Sequence, residues 1–335
     1  MRLALALSIA TLALPAAAGP AAAPIVIAVV DSGVDPSVPR LIAGRNVLAR
    51  SADTHDDAGH GTGVARVVAA GTADCEPCRI MPVKIDNAGS STQGAIAAGI
   101  RWAAEHGAPV INLSWGLALG ARSTGEVERA IAGATASGAL VVTGAMNDGT
   151  RDPRIDPWAS ESPDAVRVTA VGDDGRLLSA SNHGVWVDLG APGTASSNAA
   201  PRVAAAAALV LAAHPGLTPR QLRGALRRGC RSVPELDVGW HCVLDPDGAI
   251  RAAAATVPIV RLLVVRRGAG VVTGGAIECG RFCADWLDAG TTVTLKAAPL
   301  RGGRFVGWRG RCAGSKRTCV LRVRGATRAV AVFAP

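Results

Sequence analysis

From Ile25 onward the chain alternates short, uninterrupted apolar runs with longer stretches of helical spacing. IVIAVV ends at Asp31, RIMPVKI runs from Arg79, and PVINLSW, ALVVTGA and AVRVTAVG follow in turn. Each run is apolar at consecutive positions, so the strand it predicts is buried on both faces. Between the runs, GAIAAGIRWAAEHG has apolar residues at helical intervals and closes on Gly. The stretch VAAAAALVLAAHP from Val203 predicts a buried Ala-rich helix, and LTPRQLRGALRRG a capped amphipathic one. Strands of this kind separated by helices predict an α/β fold, a parallel sheet with helices on both faces. Chemistry in such folds gathers at the carboxyl ends of the strands.

Near residue 257 the texture changes. RLLVVRRGAGVVTGG, TTVTLKAAP, FVGWRG, CVLRVRG and RAVAVF alternate with period two and are divided by Gly-rich turns, which predicts a small all-β domain. The expected division is therefore residues 24–257 and 258–335. Ahead of both, residues 1–23 combine Arg2, an apolar run and the small-residue stretch Ala16-Ala17-Ala18. This reads as a secretory signal peptide; the run is short for a membrane span. A secreted or periplasmic location follows.

The net charge of +9 is unevenly placed. Residues 258–335 hold 14 basic residues against Glu278, Asp285 and Asp288, a balance of +11, whereas residues 24–257 hold 20 basic and 23 acidic residues. The basic character thus belongs to the C-terminal module. Arg322 and Arg324 alternate with apolar residues there and would line one sheet face, which could hold an anionic envelope polymer, lipid headgroups or nucleic acid, or be a solvated face with no specific partner. No motif for specific nucleic-acid recognition is present. Trp286 and Trp308 read as core residues rather than ligand platforms. The eight cysteines fall as close pairs, Cys75/Cys78, Cys230/Cys242, Cys279/Cys283 and Cys312/Cys319. In an exported chain these imply disulfides; a zinc site opened by Cys75-x-x-Cys78 is the competing reading.

Three segments carry complementary chemistry. IAVVDSGVD puts Asp31 at the end of a buried strand, DDAGHGTGVA puts His60 just before a helix, and ASSNAAPRVAAAAAL puts Ser197 at the start of another. A nucleophilic hydroxyl needs a base to take its proton, and that imidazole needs a carboxylate to fix its tautomer. In that order, the segments Asp31-Ser32-Gly33, His60-Gly61-Thr62 and Ala195 to Pro201 resemble the motifs of the subtilisin-like serine peptidases, the subtilases. The likeness runs from about Ile25 to Gly229 and implies a catalytic triad of Asp31, His60 and Ser197. It further implies that Asn147, in VVTGAMNDG, supplies an oxyanion-hole amide. Gly89, Ser90 and Ser91 resemble the edge strand that pairs with substrate backbone, and Ser114, Trp115 and Gly116 a wall of the specificity pocket. The C-terminal segment from Arg261 to Ala334 resembles the B-repeat modules of internalin-type bacterial proteins.

This chain also departs from the family pattern. Ala195 stands for the Gly that opens the nucleophile motif, Arg202 for the His after its Pro, Met146 for the Gly before Asn147, and Trp115 for a smaller apolar residue. Between Ala191-Pro192-Gly193 and the nucleophile motif the family's hairpin is missing. The resemblance implies an exported serine endopeptidase, expected as a monomer, acting on protein or peptide substrates. It needs no cofactor; family members often bind structural calcium, and no carboxylate cluster here marks a metal site. The alternative is a non-catalytic envelope-binding protein on a degenerate subtilase scaffold.

Overall fold

The computed structural model describes residues 23–86, 89–116, 123–152, 162–280 and 282–335. The expected signal peptide, residues 1–23, lies outside the described residues except for Ala23.

Nine strands build the first sheet: β1 (Ile25–Asp31), β2 (Arg45–Asn46), β3 (Cys78–Lys84), β4 (Val110–Leu113), β5 (Leu140–Gly144), β6 (Ala165–Val171), β7 (Leu189–Pro192), β8 (Arg231–Ser232) and β9 (Cys242–Val243). Their order is β2-β3-β1-β4-β5-β6-β7-β9-β8, parallel except for the β8–β9 pair. Among the described residues six helices cover it: α1 (His60–Gly71), α2 (Gln93–Glu105), α3 (Glu126–Ala136), α4 (Ser196–Ala213), α5 (Pro219–Gly229) and α6 (Pro246–Ala253). Side chains alternate across a strand, so Ile27 and Val29 of β1 face a core shared with α1, α4, α5 and α6. Val26, Ala28 and Val30 face a second core under α2 and α3. The uninterrupted apolar runs thus have the cause that their pattern predicts, a sheet covered on both sides. The Ala-rich helix is α4, buried along most of its length, and no described helix is long and apolar enough to cross a membrane.

The remaining strands form two four-stranded sheets. They are β10 (Ile259–Arg267), β11 (Gly270–Gly274), β12 (Ile277–Cys279), β13 (Ala284–Asp288), β14 (Thr291–Pro299), β15 (Arg304–Gly310), β16 (Thr318–Val323) and β17 (Thr327–Ala334). One sheet runs β13-β10-β17-β15 and the other β12-β11-β14-β16. Leu262, Val272, Leu295, Trp308, Val323 and Phe333 belong to the single core of this region. Trp308 is a core residue, as its sequence context suggests. Trp286 instead packs at the contact with α5, where the Arg220 guanidinium stacks 3.7 Å over its ring and its indole N–H donates to Asp164 at 2.9 Å.

Charged groups hold the two regions together. Asp188, buried beside β7, accepts from Arg167 Nε at 2.9 Å and from Arg223 Nη2 at 2.7 Å. Burial alone would raise its carboxyl, but these two guanidinium groups hold it below the usual range. Arg223 also faces Asp285 at 3.6 Å, Arg227 reaches Asp285 at 3.3 Å, and Arg228 pairs with Asp288 at 2.6 Å. The cysteines form Cys75–Cys78, Cys230–Cys242, Cys279–Cys283 and Cys312–Cys319 disulfides. The zinc reading of Cys75 and Cys78 falls, because each sulfur is bonded to the other.

Candidate active site

Asp31 is the last residue of β1 and fully buried, and His60 opens α1. The imidazole donates from Nδ1 to Asp31 Oδ1 at 2.7 Å, and the Ser32 N–H donates to the same oxygen at 2.8 Å. A carboxylate can only accept, so Nδ1 carries the proton and the Nε2 lone pair of the neutral ring is free. The close approach depends on Gly61, where a Cβ would stand 2.2 Å from the Gly33 carbonyl oxygen and 3.1 Å from Asp31 Oδ1. Hydrogen bonding to Asp31 raises the His60 pKa above its ordinary value, against the opposing effect of burial. Burial pushes Asp31 upward, partly offset by the bonds from His60 and Ser32.

The loop that delivers His60 is organised by Asp56, a residue that the motif reading passes over. Its Oδ1 accepts from Ser32 Oγ at 2.8 Å and from the Gly59 N–H at 2.8 Å. Its Oδ2 accepts from the Thr62 N–H at 2.8 Å and from Thr62 Oγ1 at 2.6 Å. A carboxylate beside the first turn of α1 satisfies amide groups that lack helical partners. Partial burial would raise its pKa, yet the bonds from Thr62, Ser32 and Gly59 bring it down to about 2. The signal was present in the sequence, as an Asp four residues ahead of a helix that begins at His60.

Ser197 is the second residue of α4, so its N–H lies in the first turn and has no partner within the helix. Pro201 sits four residues later inside the same helix and has no N–H to give to the Ser197 carbonyl. That carbonyl instead accepts from Ser114 Oγ at 3.2 Å, and Ser114 Oγ accepts from Asn112 Nδ2 at 3.0 Å. The proline thus frees an acceptor that ties the Ser197 segment to the end of β4. On the other side the Ser196 N–H donates to Asn147 Oδ1 at 2.8 Å. Since an N–H can only donate, this bond fixes which end of the amide is oxygen and leaves Nδ2 free to donate.

His60, Ser197, Asn147, Ser114, Trp115 and Gly116 line one cavity of about 220 Å³, together with Gly144, Met146 and Ser196. The Trp115 ring meets the His60 ring edge-on, with centroids 6.0 Å apart. Gly89, Ser90 and Ser91 are not part of this lining. They follow β3, Gly89 in a turn and Ser90 in a β-bridge; the Gly89 N–H donates to Asp86 at 2.9 Å and Ser91 Oγ to the Ile85 carbonyl at 2.6 Å. Only three residues separate β7 from α4, so the hairpin absent from the sequence has no counterpart in the fold. A larger cavity of about 640 Å³, beside Asp174, His183 and Asp237, contains none of these groups. The described residues hold no group of three or more His, Cys, Asp or Glu placed to bind a metal ion.

A buried carboxylate on an imidazole, with a serine at a helix N-terminus across one cavity, defines a hydrolase-type site on a parallel α/β sheet. The model of the subtilase family matches residues 23–238, and the chain belongs to that family. It is 36% identical over 211 residues to a thermophilic serine proteinase of a Bacillus strain, an alignment covering 55% of this chain and 51% of that protein. Thermitase of Thermoactinomyces vulgaris is 30% identical, with 64% of this chain and 84% of that one covered. Among solved structures, a cold adapted subtilisin-like serine proteinase is 30% identical with a TM-score of 0.55, covering 62% of this chain and 82% of that one. The chain thus spans about half the length of the first relative and most of the other two. The family match ends before β10, so the B-repeat likeness of the C-terminal strands rests on their sequence pattern alone.

Proposed function

We propose that the chain is an exported serine endopeptidase with Asp31, His60 and Ser197 as its triad, on residues 24–257. The observation that carries this reading is the 2.7 Å bond from Asp31 to His60, an imidazole that lines the same cavity as Ser197 and Asn147. Ser197 Oγ attacks the peptide carbonyl while His60 Nε2 takes its proton, and Asp31 stabilises the resulting imidazolium. The oxyanion is met by Asn147 Nδ2 and the Ser197 N–H, a pre-aimed pair of donors in a partly enclosed site. His60 then protonates the leaving amine, and water hydrolyses the acyl-enzyme with His60 again as base. The alternative of a non-catalytic envelope-binding scaffold is not favoured, since it leaves the oriented imidazole and the fixed Asn147 amide without a purpose. Export is supported by the N-terminal leader and by the four disulfides, which suit an oxidising compartment. Labelling of the folded chain by a fluorophosphonate, abolished in Ser197→Ala, is the expected result; an unlabelled wild type would sink the proposal.

For residues 258–335 we infer a site for an anionic envelope polymer, presented by a monomer. Two of the module's three acids, Asp285 and Asp288, are engaged by Arg223, Arg227 and Arg228 of α5. No described Lys or Arg of the module has an acidic partner within salt-bridge distance. Arg311, Arg322 and Arg324 border a cavity of about 300 Å³, near edge strands β15 and β16 and away from the α5 contact. Retention of the full chain on immobilised dextran sulfate should fall with salt and with the triple change Arg311→Glu, Arg322→Glu and Arg324→Glu. Unchanged retention in that variant would contradict the assignment.

A further inference from the structure

The cavity beside Ser197 is bounded by two chain segments leaving neighbouring strands, Ser114 to Gly116 after β4 and Ala145 to Asn147 after β5. A peptide held with its carbonyl carbon at Ser197 Oγ and its carbonyl oxygen at Asn147 Nδ2 has its position fixed at both points. The side chain of the residue contributing that carbonyl must then enter between the two segments. Whatever fills that gap decides which residue can precede the cleaved bond.

Met146 fills it. Its backbone is in the left-handed region at φ 69°, a conformation that disfavours any residue with a Cβ. It is nonetheless held there, because the Asn182 N–H donates to the Met146 carbonyl at 3.3 Å and the Asp148 N–H to Asn182 Oδ1 at 2.9 Å. The side chain then reaches the opposite segment. A Cβ placed on Gly116 would lie 1.9 Å from Met146 Sδ and 2.4 Å from Cε. The thioether therefore occupies the space in which a side chain at 116 would begin, and the two walls touch through it. Only a glycine at 116 permits that contact.

The geometry points to Met146 as the specificity-determining residue of this site: it blocks the pocket for the residue before the scissile bond and restricts cleavage to the carboxyl side of small residues, glycine, alanine or serine. The inference rests on the peptidase reading above and adds the substrate class. Excluding one or two methylene-sized groups from an apolar pocket is worth roughly 10- to 200-fold in kcat/KM, and a blocked pocket excludes more than that. The unbranched thioether can shift to some extent, so large residues are disfavoured rather than refused.

The test uses the full chain and peptide p-nitroanilides that differ only in the residue before the cleaved bond, Ala, Leu or Phe. Wild type should prefer Ala over Phe by about 10-fold or more in kcat/KM. Met146→Gly, which also suits the left-handed backbone, should raise kcat/KM for the Phe substrate about 10-fold or more relative to that for the Ala substrate. Met146→Ala shortens the side chain while keeping a Cβ, so a matching change there assigns the effect to the pocket and not to a loosened loop. Equal cleavage of Ala and Phe by wild type, or an unaltered ratio in both variants, overturns the proposal while leaving the peptidase reading intact. Failure to cleave any peptide, together with no fluorophosphonate labelling, overturns both.

Discussion

The region around the nine-stranded sheet and the C-terminal sandwich solve the problem of a stable core in different ways. Among the described residues the first buries three apolar clusters, the two larger ones on opposite faces of its sheet, and a core of that size can hold a buried carboxylate such as Asp31 and a left-handed Met146. The second has one cluster, with Cys279 and Cys312 inside it and their disulfide partners packed against it. Small domains gain proportionally less from burial, and cross-links and docking make up the difference. The lesson concerns charge as well. The sandwich commits Asp285 and Asp288 to α5, while the region around the nine-stranded sheet pairs the buried Asp188 with Arg167 and Arg223.

The comparison breaks most visibly with Ser197→Ala. Hydrolysis should fall by about 10⁶-fold, the scale found for loss of a serine-peptidase nucleophile, with binding to dextran sulfate unchanged; a loss of both would show that the regions are not functionally separate. Next in size, Asp31→Asn should lower kcat by about 10⁴-fold through the wrong imidazole tautomer. Asn147→Ala should lower it by about 10²- to 10³-fold with little change in KM, as loss of one oxyanion donor does.

At the boundary between the regions, Asp285→Ala removes a carboxylate that is 1% exposed and leaves Arg223 and Arg227 facing one another. Breaking such a buried pair should cost about 3 kcal/mol, read by denaturant unfolding. Wild type should unfold in one transition, and this variant should separate into two. A single unshifted transition in the variant would mean that the interface contributes little.

The smallest effects are those of pH. Because Asp31 raises the His60 pKa, the neutral base is lost as pH falls through a value above 6.5, the ordinary histidine value. The acid limb of kcat/KM should therefore lie above that point, and Asp31→Asn should move it lower. Stability runs the other way: the His60 contribution is complete below the unfolded pKa and fades as pH rises through the folded one. Asp56 has the opposite sign, since its pKa drops from 3.8 to about 2. Its contribution is present above 3.8 and lost as pH falls toward 2, so Asp56→Asn should flatten the acid unfolding curve in that window.

Much of this was legible in the chain itself. The long apolar runs became β1, β3, β4, β5 and β6, and the period-two segments became the sandwich strands. Short elements escaped that reading: β2, β8 and β9 are two residues each, too brief for a hydrophobic period to register. Helix α3 was passed over as well, although Val127, Ala130, Ile131 and Ala134 have helical spacing. Of the candidate residues, His60, Ser197, Asn147 and Ser114 to Gly116 meet in one cavity, with Asp31 buried behind His60, whereas Gly89 to Ser91 stand apart from its lining.

Local order along the chain therefore determined the strand and helix types, the triad candidates and the concentration of charge after residue 257, because periodicity, capping and composition act over a few neighbouring residues. Tertiary structure alone decided that Asp56 organises the loop ahead of His60, that Ser114 takes up the Ser197 carbonyl, 83 residues along the chain, and that Met146 closes on Gly116. Those outcomes depend on how far apart two strand ends lie and which atoms fill the gap. That distance is set by packing across the whole sheet, and no stretch of sequence contains it.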